Sequence, residues 1–212
     1  MTDPNAPRVF RLRSTFVERD RLAMLSHLEV AHTLERTVRR AGLPFAVSQG
    51  FSPHMKIAFG AALPVGVGST CEVFDLQLRE YVAADKALAA LQNASVPDLM
   101  VQDCRYIENA APAASVAFPF STYEVRFDAP VASIDVPETV SVIRKRKEKT
   151  LVVSEFLVGP LALDGDRATF TLEAKPTGSL RPDVLLQHCD VSAGIVSITR
   201  TAQNDRRPSC TN

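Results

Sequence analysis

An Ala/Pro-rich segment at residues 109–118 separates two stretches of the chain that have the same predicted order of elements. Ala and Pro at this density are typical of a linker. On each side of it, alternating apolar and polar residues predict strands, and apolar residues at helical spacing predict helices. Both stretches have the predicted order β-α-β-β-α-β. This repeated order restricts the possible folds more than any other feature of the sequence. It is the order of elements in a ferredoxin-like unit.

The predicted fold is therefore α+β, with two tandem ferredoxin-like units whose antiparallel sheets carry helices on one face. We expect an N-terminal domain at residues 8–108, a linker at 109–119, a C-terminal domain at 120–203 and a flexible tail at 204–212. The predicted helices span residues 24–41, 82–94, 137–147 and 181–188.

The first predicted helix has clear signals at both ends. Ser26 followed by Glu29 has the spacing of a capping box, and Gly42 followed by Pro44 is typical of a helix end. The residues expected to form its buried stripe recur at helical spacing: Leu25, Leu28, Ala31, Leu34 and Val38.

Charge is unevenly distributed along the chain, although the formal net charge is zero. Lys and Arg outnumber Asp and Glu in residues 5–60, and the reverse holds in residues 61–138. This asymmetry points to an anionic partner for part of the surface, although a solvated, internally paired surface would have the same composition. A second basic run fits a solvated helix end and a backbone-contact patch equally well: Arg144, Lys145, Arg146 and Lys147.

The densest cluster of polar and basic residues joins the first helix to the loop that follows it. Arginine holds phosphate with two parallel hydrogen bonds, lysine adds a point charge, and a phenylalanine can stack on a base. The cluster therefore predicts a site for RNA or another anion, formed by Arg36, Arg39, Arg40, Ser48, Gln49, Phe51, Ser52, His54 and Lys56. Singly, these residues also have ordinary structural explanations, such as a core position for Phe51 or a turn position for His54.

His27, His54 and Lys56 are the candidates for catalysis, as acid, base and stabiliser of developing charge. We expect no metal site, because none of the cysteines forms a CxxC pair and His27 and His32 do not share a helix face. No apolar run reaches the roughly 18 residues of a membrane span, and the N-terminus lacks the features of a signal peptide. These observations predict a cytoplasmic protein without a membrane partner.

Several segments together resemble the radical-SAM-linked domain family of unknown function. The resemblance is specific over residues 8–80 and rests on Ser26-His27-Leu28-Glu29, on Arg39–Pro44, on the segment from Ser48 to Phe59 and on Leu63-Pro64-Val65-Gly66. Members of that family occur fused to, or encoded beside, radical-SAM proteins, and often near a ribonuclease of the E/G type. The resemblance therefore implies a part in RNA modification or processing.

This chain lacks the three-cysteine motif of a radical-SAM cluster. The resemblance then implies that S-adenosylmethionine and an iron–sulfur cluster bind only in a partner, and that this chain binds no cofactor. Our leading hypothesis is an RNA-binding adaptor that works in trans with a radical-SAM enzyme and does not catalyse a reaction alone. Two alternatives stay open, a metal-independent ribonuclease using His27 and His54, and a pure protein-docking module.

Overall fold

The computed structural model describes residues 9–144 and 147–208, without the side chains of residues 144 and 147. Within these ranges the chain is a mixed α/β protein with four α-helices and mostly antiparallel strands. It divides into two compact units. The first comprises the described residues up to Leu63 together with Cys71–Ala117, and the second comprises Pro64–Thr70 together with the described residues from Phe118 onward.

The first unit has the predicted order β-α-β-β-α-β, followed by one short helix. Its strands lie in the order β4-β1-β3, β2 pairs with β3, and the β1–β4 and β2–β3 pairs are antiparallel. The elements are β1 (Phe10–Glu18), α1 (His27–Arg40), β2 (Ile57–Phe59), β3 (Val67–Leu78), α2 (Ala84–Ala94), β4 (Val101–Ile107) and α3 (Ala114–Ala117).

Helices α1 and α2 pack on the same face of this sheet. Leu12 and Phe74 from the strands share one core with Leu34 from α1 and Leu91 from α2, and all four side chains are fully buried. The period-2 alternation of β1 places Leu12 toward the helices and Arg11 and Arg13 on the opposite face.

The capping box at the start of α1 is confirmed, because the Glu29 N–H donates to Ser26 Oγ and the Ser26 N–H donates to Glu29 Oε2. The backbone and side-chain hydrogen bonds from Ser26 lower the pKa of Glu29 below its ordinary value. The predicted buried stripe is wrong in part, since Leu28 is 68% exposed. The buried residues of α1 are Val30, Leu34, Thr37 and Val38. In the first half of the helix the buried face is therefore shifted by one residue from the predicted stripe.

The second unit departs from the predicted order. Its main strands lie in the order β10-β5-β9-β8 with antiparallel pairing, and the first residues of β3 add to β10 in parallel. The elements are β5 (Phe120–Phe127), β6 (Thr139–Arg144), β7 (Lys147–Val152), β8 (Leu157–Asp164), β9 (Arg167–Glu173), α4 (Pro182–His188) and β10 (Ile195–Asn204).

The helix predicted at residues 137–147 is wrong, because β6 and β7 form a two-stranded antiparallel sheet there. Thr139, Val140, Val142 and Ile143 are β-branched, and such residues fit a pleated strand better than a helix. Val140 is buried while Ile143 is 81% exposed, which matches the alternation of a strand. The basic run is therefore not a helix end: Arg144 and Lys147 are the facing ends of two strands, and Lys145 and Arg146 lie outside the described residues.

Part of the segment expected to be a linker is bonded to the first unit instead. Arg11 Nη1 donates to Ala111 O at 2.6 Å, and Arg13 Nη2 donates to Pro112 O at 2.8 Å. Both guanidinium groups also bond the carboxylate of Asp75, with nitrogen–oxygen distances of 2.7 Å. The expected tail also begins in a strand, since β10 continues to Asn204, and residues 209–212 lie outside the described residues.

Asp75 pairs with two guanidinium groups in a nearly closed environment, since its side chain is 3% exposed. Burial alone would raise the pKa of this carboxyl group, but the hydrogen bonds and charges of Arg13 and Arg11 more than offset it and lower the pKa. This ion-pair cluster holds β1, β3 and the segment around Pro112 together.

No helix within residues 9–144 and 147–208 is both long enough and apolar enough to cross a bilayer.

Asp75→Asn removes the negative charge that pairs with the guanidinium groups of Arg11 and Arg13, whose side chains are 11% and 7% exposed. We expect a loss of about 3–5 kcal/mol in the free energy of unfolding, measured by urea denaturation at neutral pH. Asp103→Asn is the matched control because Asp103 is an exposed carboxylate on β4, and we expect its effect to stay within about 0.5 kcal/mol. Equal stabilities of the two variants would contradict the role given to Asp75.

The lowered pKa of Asp75 also predicts a pH dependence. Because the folded pKa lies below the unfolded value, near 3.8, its contribution to stability is complete above that value. The contribution is lost as the pH falls through the lower folded pKa. The difference in unfolding free energy between the wild type and Asp75→Asn should therefore stay constant from pH 7 to about pH 5 and shrink below about pH 4. A difference that grows with acid would contradict this assignment.

Candidate nucleic-acid interface

The segment between α1 and β2 forms a hairpin whose loop is residues 48–54. Val47 and Met55 pair in antiparallel fashion at its neck. The Ser48 N–H donates to His54 O at 2.8 Å, and the His54 N–H donates to Ser48 Oγ at 3.0 Å. Gly50 adopts φ +129°, a conformation that other residues rarely adopt, so glycine is required there. These bonds give the loop a defined shape.

The base of this hairpin is bonded to the end of β3. The Ala46 N–H donates to Gln77 O at 2.7 Å, and the Gln77 N–H donates to Lys56 O at 3.0 Å. The Lys56 N–H donates to Ala46 O at 2.8 Å, which joins the two sides of the hairpin at its base. The Met55 side chain is buried in the core of the first unit and anchors the hairpin there. The loop is therefore held on a rigid support.

Phe51 lies at the tip of the loop and is fully exposed. The alternative that Phe51 is a core residue is therefore wrong. Ser48 is half-buried, whereas the side chains of the other predicted loop residues and of Lys56 are exposed: Gln49, Ser52, His54 and Lys56. The loop presents an aromatic ring beside hydrogen-bonding and cationic groups.

The three arginines of α1 have different surroundings. The Arg39 guanidinium lies 5.1 Å from the ring centre of Phe45, which leads into the hairpin, so the structure brings Arg39 and the hairpin base together. Arg36 is exposed and donates to Thr33 Oγ1, on its own helix. Arg40 Nη2 donates to Ala94 O at 2.9 Å, and it thereby caps the C-terminal end of α2.

His27 and His54 are not brought together. The ring centre of His27 lies 5.6 Å from that of Phe59, at the far end of β2 from the hairpin loop. His54 lies in the hairpin loop, five residues before Phe59, and the Ile57 N–H donates to Met55 O at 2.9 Å within that interval. The two histidines are therefore placed at opposite ends of β2, which disfavours the ribonuclease hypothesis.

His27 instead lines a small cavity of about 10 Å³, together with the buried carboxylates Glu18 and Glu72. A cavity of that volume holds about one water molecule. Glu72 and Asp75 lie on opposite faces of β3, since Asp75 bonds Arg11 and Arg13 on the face opposite α1 and α2. Within the described residues, no three His, Cys, Asp or Glu side chains are grouped closely enough to bind a metal ion.

Two features of the first unit were not predicted. One is the ion-pair cluster of Arg11, Arg13 and Asp75. The alternation of β1 could have indicated it, because that alternation places two arginines on the face opposite Leu12. The other is a group of three aromatic rings formed by Phe10, Tyr81 and Tyr106, which lie far apart in the sequence. Only the pairing of β1 with β4 brings Phe10 and Tyr106 together.

The sequence profile of one protein family matches residues 11–164, with the description "Uncharacterized protein conserved in bacteria (DUF2344)". The chain belongs to the DUF2344 family. The matched range of DUF2344 includes Arg11 and Asp75, the whole hairpin and α1, and it ends with β8. No curated protein matches the sequence.

The exposure of Phe51 predicts that its ring contributes little to stability. We expect Phe51→Ala to change the free energy of unfolding by less than about 0.5 kcal/mol in urea denaturation. Phe74→Ala is the contrasting variant, because Phe74 is fully buried and its loss should cost about 3–5 kcal/mol. A cost above about 1 kcal/mol for Phe51→Ala would mean that the ring packs in solution.

Proposed function

We propose that this chain is an RNA-binding adaptor that works in trans with a radical-SAM enzyme in RNA modification or processing. The observation that carries the proposal is the hairpin loop, which holds the fully exposed Phe51 beside exposed cationic and polar side chains on a rigid support. Aromatic rings next to positive charges are the usual means of binding single-stranded nucleic acid, because bases stack on the ring while cations contact the phosphates.

The cations near the hairpin are available for such contacts. Within the part of the chain that the structure describes, Arg36, Arg39 and Lys56 form no ion pair with a carboxylate. Their positive charges are therefore not neutralised locally, and they favour an anionic ligand. Arg40 contributes less, since its guanidinium bonds the end of α2.

The role of an adaptor is supported by the placement of His27 beside Phe59, at the end of β2 farther from the hairpin loop that carries His54. We propose that the chemistry belongs to a partner that binds S-adenosylmethionine and an iron–sulfur cluster. A ribonuclease of the E/G type is a further proposed partner. These partners come from the resemblance over residues 8–80, and with them we propose a cytoplasmic location.

The strand order supports a finer fold assignment within this proposal. The order β4-β1-β3-β2 in the first unit is that of a ferredoxin-like sheet, with two helices on one face. The order β10-β5-β9-β8 in the second unit has the same pattern, with β6 and β7 in place of the first helix. We propose that the second unit is a variant of the same architecture.

A protein-docking module is the second candidate, and the same Phe51 favours it. A large apolar side chain that is fully exposed on a fixed loop can insert into a pocket of a partner protein. This candidate needs no free cations, so the dependence of binding on salt separates it from the first.

We expect the wild type to bind single-stranded oligoribonucleotides with an affinity that falls linearly on a log–log plot against salt concentration. Arg36→Gln/Arg39→Gln should weaken binding by roughly tenfold at low salt and reduce the slope by up to about 1.4, since each lost phosphate contact accounts for about 0.7. Fluorescence anisotropy at several salt concentrations measures both quantities.

Arg206→Gln/Arg207→Gln is the matched control, because it removes the same charge from exposed positions of the second unit. Its affinity and slope should equal those of the wild type. No binding to any oligonucleotide, together with co-purification of a radical-SAM protein free of RNA, would replace the RNA-binding proposal with the docking module.

A further inference from the structure

Three aromatic side chains line a cleft at the edge of the first unit where β1 begins and β4 ends. The ring centres of Tyr81 and Tyr106 are 5.1 Å apart and nearly parallel, at an interplanar angle of 28°. Phe10 meets both rings edge-on, with centre-to-centre distances of 5.7 Å to Tyr81 and 6.3 Å to Tyr106. We call this the aromatic cleft.

The rings are held in place before any ligand binds. The Tyr106 hydroxyl donates to Val82 O at 2.7 Å and accepts from the Val82 N–H at 3.3 Å, which fixes the ring at the start of α2. Burial raises the pKa of Tyr106, so the hydroxyl stays protonated as a donor at neutral pH. Tyr81 stacks on this fixed ring and is nevertheless 63% exposed. An exposed aromatic ring in a fixed orientation is suited to stacking with a second flat ring.

The cleft has a volume of about 610 Å³, which lies within the range of small-ligand sites. Its rim includes the exposed side chains of Glu108 and Asn109. Asn109 Nδ2 donates to Val9 O at 3.2 Å, and its side-chain oxygen is a hydrogen-bond acceptor. The lining also includes Arg11, whose guanidinium bonds Asp75 and the carbonyl oxygens of Asn109, Ala111 and Pro112. The carboxylate of Glu108 and the side-chain oxygen of Asn109 therefore offer acceptors to a flat ligand with N–H donors.

We propose that the aromatic cleft binds one unpaired nucleobase, adenine or cytosine, whose exocyclic amino group stands at the ring position where guanine and uracil carry a carbonyl oxygen, with the base stacked on Tyr81 and its amino group donating to Glu108 or Asn109. Uracil has carbonyl oxygens at its base edge where these bases have an amino group, and those oxygens oppose the acceptors of the rim. Adenine should bind best because its two rings stack over the larger area.

That the base belongs to an RNA strand rests on the proposed function, whereas the cleft itself stands on its own residues. The Arg79 N–H donates to Pro44 O at 2.8 Å, so the chain that leads to Tyr81 is bonded to the chain that enters the hairpin. The hairpin and the aromatic cleft are thus both attached to the end of β3. A single strand whose phosphates contact the hairpin has a base-stacking site on the same unit.

The test uses free nucleosides, whose binding does not depend on phosphate contacts. Adenosine, cytidine and uridine are titrated into the full chain while NMR records the aromatic signals. We expect adenosine and cytidine to shift the signals of Phe10, Tyr81 and Tyr106, and uridine to bind more weakly. Tyr81→Ala should weaken adenosine binding by about tenfold or more, whereas Tyr81→Phe keeps the ring and should bind as the wild type does.

Glu108→Ala provides a second variant that leaves all three rings in place. It should reduce the preference for adenosine over uridine without abolishing stacking. Unshifted ring signals, or equal affinities for adenosine and uridine, would overturn the inference.

The two proposals fail in different ways. Salt-dependent oligonucleotide binding without adenosine shifts in the three rings removes the aromatic cleft and keeps the RNA-binding function. Adenosine shifts in a protein that binds no oligonucleotide keep the aromatic cleft and remove the RNA-binding function.

Discussion

The two arginine–aspartate pairs on the face of the first sheet opposite α1 and α2 hold this unit together. The buried carboxylate is the only negative charge of these two pairs, and its removal would leave two guanidinium groups facing each other in a medium of low polarity. Arg11 and Arg13 use their remaining donors on the carbonyl oxygens of Ala111 and Pro112. The cluster therefore converts an Ala/Pro-rich segment, which has little apolar surface of its own, into an ordered part of the unit. The sheet that carries the hairpin and the aromatic cleft depends on these bonds.

Local signals in the sequence predicted most of the first unit. The capping box of Ser26 and Glu29, the alternation of β1 and the stop at Gly42 each depend on neighbouring residues, and such signals are readable without a structure. The prediction failed where two local signals competed. Residues 139–144 combine apolar spacing compatible with a helix and a β-branched composition, and the pairing of β6 with β7 decided between them.

The candidate site was predicted by residue type but not by position. The hairpin loop and the arginines of α1 were singled out because phosphate and base recognition need such groups, and the structure gives Arg39 and the loop a common support. The separation of His27 from His54 could not be foreseen, since it depends on the direction in which β2 leaves the loop. The aromatic cleft could not be predicted from the sequence either, because its three rings come from the distant positions 10, 81 and 106. The position of the histidines and the assembly of the aromatic cleft depend on burial and on pairing between distant strands. Neither can be read from a single sequence.

The parallel pairing of β3 with β10 has a consequence for how the protein is made. The Ser69 hydroxyl donates to the carbonyl oxygen of Arg200, a separation of 131 residues along the chain. During synthesis the start of β3 leaves the ribosome long before β10 has been made. The backbone groups of β3 that pair with β10 lack this partner for that time. Contacts of such long sequence separation form slowly, and an open strand edge invites pairing with other nascent chains. Until β10 emerges, the start of β3 therefore offers an edge on which another chain can pair, and a chaperone that covers this edge would prevent such pairing.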